Sequence, residues 1–233
     1  MTDARVWLLD LDLDLDLDLD LDLDRRPRAG GTSAVEVCDE HESARAAAFA
    51  DATDARRYLA AHRALRLLVS SCTGRDAASL VFDREPCRRC GGRHGRPVLR
   101  SPGDLHVSLS RSGRWAAVAL RAGAPVGVDV ERARPTGALE HLRSDVTPED
   151  GEVDVLRAWV RKEALLKSTG EGLTTAMSAI RLSRVPDGTT TDGRRGTVHD
   201  VESVADVVLA VAGVGLSRPV FTDVSPDVPS VRP

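Results

Sequence analysis

From Leu9 to Asp24 the chain alternates leucine and aspartate without interruption, a period of two that puts leucines on one face of an extended chain and carboxylates on the other. Like charges two residues apart repel, so only the beginning of this run, continuing Val6-Trp7-Leu8, is predicted to be a strand. The rest is predicted to be a solvated loop. A metal-binding role for such a uniform acidic comb would lack a fixed geometry.

The period changes at Asp54. From there to Ser70, apolar side chains at 58, 59, 61, 65, 68 and 69 interleave with Arg56, Arg57, His62, Arg63 and Arg66, which predicts an amphipathic helix with a basic face, capped by Asp51 or Thr53. A second helix is predicted over Val153 to Thr169, stopped by Gly170 and Gly172. Short strands are predicted at 105–109, 115–120, 126–131, 177–182, 197–201 and 205–211. Arg25–Thr32 and Cys87–Pro97 read as loops, and 217–233 as a flexible Pro-rich tail. Strand, helix and short strands thus occur twice, an α+β pattern divisible into an N-terminal half (1–122) and a C-terminal half (123–216).

Charge sharpens this picture. The chain of 233 residues has 32 Lys and Arg against 36 Asp and Glu, a formal −4. Eight of those acids belong to the Leu-Asp run, and without them the charge is +4, so the body suits an anionic small molecule or an acidic partner. Seven aromatic residues are too few for a base-stacking platform, so nucleic acid is not expected as a partner. Four cysteines, no secretory pattern at Met1–Arg5 and no long apolar run lead to the expectation of a cytoplasmic protein without a membrane span.

Three segments carry candidate chemistry. In Gly127-Val-Asp-Val-Glu131, Asp129 and Glu131 share one strand face, where two carboxylates suit Mg²⁺ or Mn²⁺, or are simply solvated acids. In Trp159-Val-Arg-Lys-Glu163-Ala-Leu-Leu-Lys167, Trp159, Glu163 and Lys167 lie on one helical stripe. Glu163 could then move a proton or ligate a metal, and Lys167 hold a phosphate, unless the two form an ordinary surface pair. In Val107-Ser-Leu-Ser-Arg-Ser-Gly-Arg-Trp115, Ser108, Ser110, Ser112 and Arg111 offer an anion pocket or a polar edge turn. Cys87-Arg-Arg-Cys90 with His94 resembles half of a zinc site; a reversible disulfide or plain thiols are the other readings, and the group is expected to be dispensable for chemistry.

In order, DARRYLAAHRALR, GRPVL, VSLSRSGRW, GVDVE and WVRKEALLKSTGEGL resemble the Sfp-type 4'-phosphopantetheinyl transferases over roughly residues 45 to 213. The resemblance implies two similar α+β halves related by a pseudo-twofold axis, with coenzyme A bound in the cleft between them. It implies transfer of the 4'-phosphopantetheine arm to a serine of an acyl or peptidyl carrier protein, as in polyketide and nonribosomal peptide biosynthesis, by a monomeric enzyme. A module of this fold that binds nucleotides or partners without catalysis is the alternative.

By position, Asp129 and Glu131 match the family's metal carboxylates, with Mg²⁺ (or Mn²⁺) as the implied ion. Glu163 and Lys167 match its helix Glu and phosphate-facing Lys, and Lys162 the Lys beside that Glu. Arg57 matches an Arg near the 3'-phosphate, and Gly95 and Arg96 stand by the adenine. Ser110 and Arg111 fall on the family's usual Ser-His pair, with arginine replacing histidine. Asp150, with Glu149 as the alternative, is the candidate third metal carboxylate. The implied catalytic set is Asp129, Glu163 and Lys167.

Overall fold

The computed structural model describes residues 3–13, 37–92, 95–100, 103–135, 137–147, 154–184, 190–202 and 206–223. Strand β1 (Arg5–Asp10) includes the first Leu-Asp pair and is followed by a turn over 11–13. Beyond Leu13 the repeat lies outside the described residues. β1 does not have one wet face: Trp7, Leu9 and Leu11 are buried on one side, and Val6 and Leu8 on the other. Asp10, too, is buried and takes two hydrogen bonds from Arg114.

The first long helix takes one of the two caps its sequence offers. After α1 (Glu40–Ala47) comes α2 (Ala52–Thr73), whose N-cap Asp51 accepts from the amides of Thr53 and Asp54. The expected basic face of α2 is only partly a surface. Arg66 is completely buried, bonded to Glu42, Asp39 and the carbonyls of Ala77 and Leu80. Burial pushes the Glu42 carboxyl up, but hydrogen bonds from His62, the Asp39 amide and Arg66 outweigh it and leave it at about 2.

Next come the hairpin β2 (Phe82–Arg84) and β3 (Pro97–Leu99), then β4 (Leu105–Ser112), β5 (Trp115–Ala122) and β6 (Gly127–Arg132). A short α3 (Arg143–Val146) precedes α4 (Val155–Thr169), which Asp154 caps and the left-handed Gly170 ends. The chain continues with β7 (Ser183–Arg184), β8 (Thr190–Thr191), β9 (Thr197–Asp200), β10 (Val207–Gly213) and β11 (Val220–Asp223).

The strands form two main sheets, ordered β11-β1-β5-β4 and β6-β10-β9-β8-β7. Their inner faces share a core: Val6, Leu8, Trp115, Ala117 and Ala119 meet Val126, Val128, Val130, Leu209 and Val211. Helix α2 covers the outer face of the first sheet and α4 that of the second. The architecture is therefore mixed α+β. No helix among the described residues is long and apolar enough to cross a membrane.

Two expectations need correction. Met177–Ala179 is a 3-10 turn with Met177 and Ile180 inserted into the core beside α4, so apolar content there marks plugging side chains rather than a strand. The segment from 217 is not wholly a tail: β11 pairs parallel with β1, Val220 opposite Arg5 and Phe221 opposite Val6. β1 would otherwise be an open edge, and pairing satisfies its amides and carbonyls. This strand also ties the end of the second half into the sheet of the first.

Candidate active site

The site is built where β4, β6 and the last turns of α4 meet. Val128 and Val130 of β6, with Val126 just before it, point into the shared core, so Gly127, Asp129 and Glu131 face the other way. α4 lies directly on that face. A Cβ on Gly127 would stand 2.0 Å from the Ala164 carbonyl oxygen and 2.4 Å from the Ser168 amide, so only glycine lets the helix come this close. Asp129 is thereby buried, at 4 % exposure, instead of being a half-exposed strand acid.

From α4, the Lys167 ammonium reaches Asp129 Oδ1 at 2.6 Å and Ser110 Oγ at 2.9 Å. Ser110 in turn donates to Asp129 Oδ1 at 2.7 Å. Asp129 Oδ2 is buried with no hydrogen-bond partner among the described residues. Glu163, one turn before Lys167, faces the same place: burial pushes its carboxyl above the usual range, Lys167 draws it down, and the negative charges of Asp129 and Glu131 push it up again.

The alternating serines of β4 turn out to be a seam between the two sheets. Ser108 Oγ accepts from the Val128 amide at 3.0 Å, and Ser112 Oγ accepts from the Arg132 amide at 3.2 Å while donating to Glu131. With Ser110 on Asp129, three hydroxyls replace backbone pairing between β4 and β6. Ser110 and Ser112 each direct their O–H at a carboxylate, so in this arrangement neither offers its donor to an anion.

The arginines are also engaged. Arg57 holds Asp12 with two bonds of 2.7 Å, a contact concealed in the sequence by the sameness of the Leu-Asp units. Arg96 bonds Glu85 at 2.5 Å and the Ser168 carbonyl at 2.8 Å, setting β3 against the C-terminal end of α4, where its positive charge complements the helix dipole. Gly95 belongs to the same junction: its amide bonds the Glu85 carbonyl, and a Cβ there would stand 2.4 Å from that oxygen. Arg111 lies over the rings of Phe49 and Tyr58, 5.8 and 5.7 Å from their centroids.

Lys162 departs from its expected place at the ligand. It is fully buried and donates to the Val146 carbonyl at 2.5 Å, because one residue along a helix is a 100° turn away from the stripe of Glu163 and Lys167. Asp150, Glu149 and His94 lie outside the described residues.

Comparison with known proteins bears on this geometry. The family model of the 4'-phosphopantetheinyl transferase superfamily matches residues 125–212, the stretch that contains β6 and α4. Residues 125–212 belong to the 4'-phosphopantetheinyl transferase superfamily. Over 146 residues the chain is 26 % identical to the 4'-phosphopantetheinyl transferase Sfp of Bacillus subtilis, covering 57 % of this chain and 64 % of that protein. It is 28 % identical over 149 residues to the 4'-phosphopantetheinyl transferase psf-1 of Bacillus pumilus (59 % and 60 %), and 29 % identical over 147 residues to HetI of a Nostoc species (57 % and 59 %). The chain thus spans about three fifths of the length of these relatives.

Within the superfamily segment fall Asp129, Glu131, Glu163 and Lys167; Arg57, Gly95, Arg96, Ser110 and Arg111 precede it. Among the described residues, no group of three or more His, Cys, Asp and Glu stands in ligating array. The donor set nevertheless fits a hard cation in part, since Asp129 Oδ2 is buried with no hydrogen-bond partner among the described residues, and Glu163 feels the charges of Asp129 and Glu131.

The crowding of Glu163 has a measurable consequence. A raised carboxyl pKa means that the fold favours the protonated form, an advantage present at low pH and lost as pH rises through the folded-state value. In metal-free protein, Glu163→Gln should therefore melt higher than wild type at neutral pH, with the gap closing as pH falls. Melting curves across pH in the presence of a chelator test this; a Gln variant less stable at neutral pH would mean that Glu163 is not held as a strained charge.

Proposed function

We propose that this chain transfers the 4'-phosphopantetheine arm of coenzyme A to a serine of an acyl or peptidyl carrier protein, releasing adenosine 3',5'-bisphosphate. The observation that carries this reading is the Lys167 ammonium bonded to buried Asp129, whose Oδ2 has no hydrogen-bond partner among the described residues, with Glu163 near enough to feel both charges. Superfamily membership supports it. So does the arrangement of one long helix on the outer face of each sheet, which suits the pair of related halves, 1–122 and 123–216, with the ligand cleft between them.

Asp129 and Glu131, with Asp150 or Glu149, are the residues that would hold Mg²⁺ or Mn²⁺. Such an ion, when bound, offsets the negative charge of a pyrophosphate attacked by an oxygen nucleophile. Lys167 orients Asp129 and adds a positive charge beside the phosphates. Glu163 accepts the proton of the attacking serine. A carboxylate whose proton affinity is raised by burial is the better base for this at neutral pH. The carrier supplies the nucleophile, so no Ser-His-Asp set is needed.

The test is direct: the protein is incubated with coenzyme A, Mg²⁺ and an apo carrier, and the carrier is weighed. A gain of one phosphopantetheine arm is expected. An unchanged mass across fatty-acid, polyketide and peptide carriers would leave a binding module without this activity.

The Asp12 to Arg57 pair makes a second prediction. If Arg57 serves the 3'-phosphate, Asp12 competes with it, and the lowered pKa of Asp12, due first to its bond from Arg57, keeps the competitor charged at neutral pH. Asp12→Asn should lower the KM for coenzyme A by about two- to fivefold, the range of a partly exposed ion pair, and Arg57→Ala should raise it with kcat little changed. A KM unmoved in both variants would take Arg57 out of the coenzyme site.

A further inference from the structure

On β4, Ser108, Ser110 and Ser112 face the seam with β6, so alternation turns Val107, Leu109 and Arg111 to the opposite side, toward α2. Val107 and Leu109 join the core there, and Arg111 stands half-buried at its rim. Its guanidinium lies over two rings, Phe49 from the connection between α1 and α2 and Tyr58 from the second turn of α2. The two rings touch, 5.5 Å between centroids, and Tyr58 packs on His62 at 4.3 Å. His62 Nδ1 is bonded to buried Glu42, which Arg66 also holds, so the floor under Arg111 is fixed from below.

Arg66, Arg96 and Arg161 are oriented by carboxylates, which also neutralise them. Arg111 has neither an ion pair nor a side-chain hydrogen bond to another described residue, and exposed Asp54 attracts it without a bond. A ring face draws a guanidinium through its quadrupole but carries no net charge, so it directs the group and leaves the positive charge and the N–H donors available. Arg57, one residue before Tyr58, is near enough for its charge to oppose that of Arg111. Two like charges held near each other are both stabilised by a shared anion.

We propose that Phe49 and Tyr58 are positioning residues that hold Arg111 near Arg57 with its charge uncommitted, so that the two guanidiniums grip a phosphate monoester. The inference rests on the transfer reading, in which coenzyme A is bound and its single monoester, the 3'-phosphate, is the group gripped. Dephospho-coenzyme A lacks that group and gains nothing from the clamp, so the aromatic pair sets the preference between the two. A guanidinium suits such a floor better than an ammonium does, because it is planar and weakly hydrated, and it presents parallel donors to two phosphate oxygens.

The full chain is assayed for carrier labelling with coenzyme A and with dephospho-coenzyme A, and adenosine 3',5'-bisphosphate and adenosine 5'-monophosphate are titrated into it by calorimetry without carrier. Tyr58→Leu keeps apolar bulk and removes the ring face, whereas Tyr58→Phe keeps both. Tyr58→Leu and Phe49→Leu should each raise the KM for coenzyme A about three- to tenfold, with kcat and the KM for dephospho-coenzyme A within about twofold of wild type. Both should weaken the bisphosphate by a similar factor and leave the monophosphate unchanged, and Tyr58→Phe should behave as wild type. Rings that served packing alone would shift both coenzymes alike; that result, or a wild-type KM in both Leu variants, overturns the inference. Should the Leu variants fold poorly, the wild type decides, since a bisphosphate bound no more tightly than the monophosphate means that there is no clamp. An unlabelled carrier with the bisphosphate preference intact counts against transfer alone, so the two readings fail separately.

Discussion

Asp129→Ala is expected to lower the rate of arm transfer by about a hundredfold or more while the protein remains folded, because it removes one carboxylate from which two functions depart. One is the orientation of Lys167 and Ser110, both bonded to Oδ1; the other is Oδ2, which has no hydrogen-bond partner among the described residues and is the atom best placed to serve a cation. The fold does not escape untouched. Asp129 is buried, so its loss leaves the Lys167 ammonium and the Ser110 hydroxyl without their shared acceptor, at a cost of about 1–3 kcal/mol. Asp129→Asn separates charge from shape: it should be nearly as slow, and added Mn²⁺ or Mg²⁺ should partly restore it if a weakened metal site is the cause. Steady-state rates at graded metal concentration, with melting curves on the same samples, decide the matter. A folded Ala variant with wild-type rate and metal dependence would remove β6 from the chemistry.

Gly127→Ala should be the most damaging change in the molecule relative to its size. The added methyl group would overlap the backbone of α4 at Ala164, Lys167 and Ser168, and no side-chain rotation can relieve contact with a main chain. The helix must move away, opening the packing of Ala158, Ala164 and Leu165 on β10. The expected cost is about 3 kcal/mol, at the upper end for overpacking, equivalent to a fall of roughly 10 °C in melting temperature for a chain of this size. If the variant still folds, its kcat should fall more than its KM rises, because Lys167 is drawn away from Asp129 while the residues outside this contact stay in place. A variant that melts with wild type and turns over normally would contradict the tight apposition of β6 and α4.

Asp129, Glu131, Glu163 and Lys167 were legible as a set because periodicity alone puts Asp129 and Glu131 on one strand face and Glu163 and Lys167 on one helical stripe. Their meeting was implied by the family resemblance and not by periodicity. It depends on α4 covering that strand face, which the missing side chain of Gly127 permits. Lys162, adjacent in sequence to Glu163, shows the limit of motif reading: a single step around the helix takes it from the site into the core.

The sequence by itself determined the long elements of this protein: α2 with its N-cap, α4 with its glycine stop, and the β4 to β6 run, because helical and strand periods and capping residues act over a few neighbouring positions. Only the tertiary structure decided what polar residues are for. It made Arg66 a buried tie instead of part of a basic face, turned three serines into a seam between sheets, bound Arg57 to an acid of the repeat 45 residues earlier, and enlisted residues 220–223 to cover the edge of β1. The physical reason is the same in each case. A charged or hydroxyl group takes its role from the partner that burial forces on it, and that partner is supplied by chain folding from far away, where no local pattern reaches.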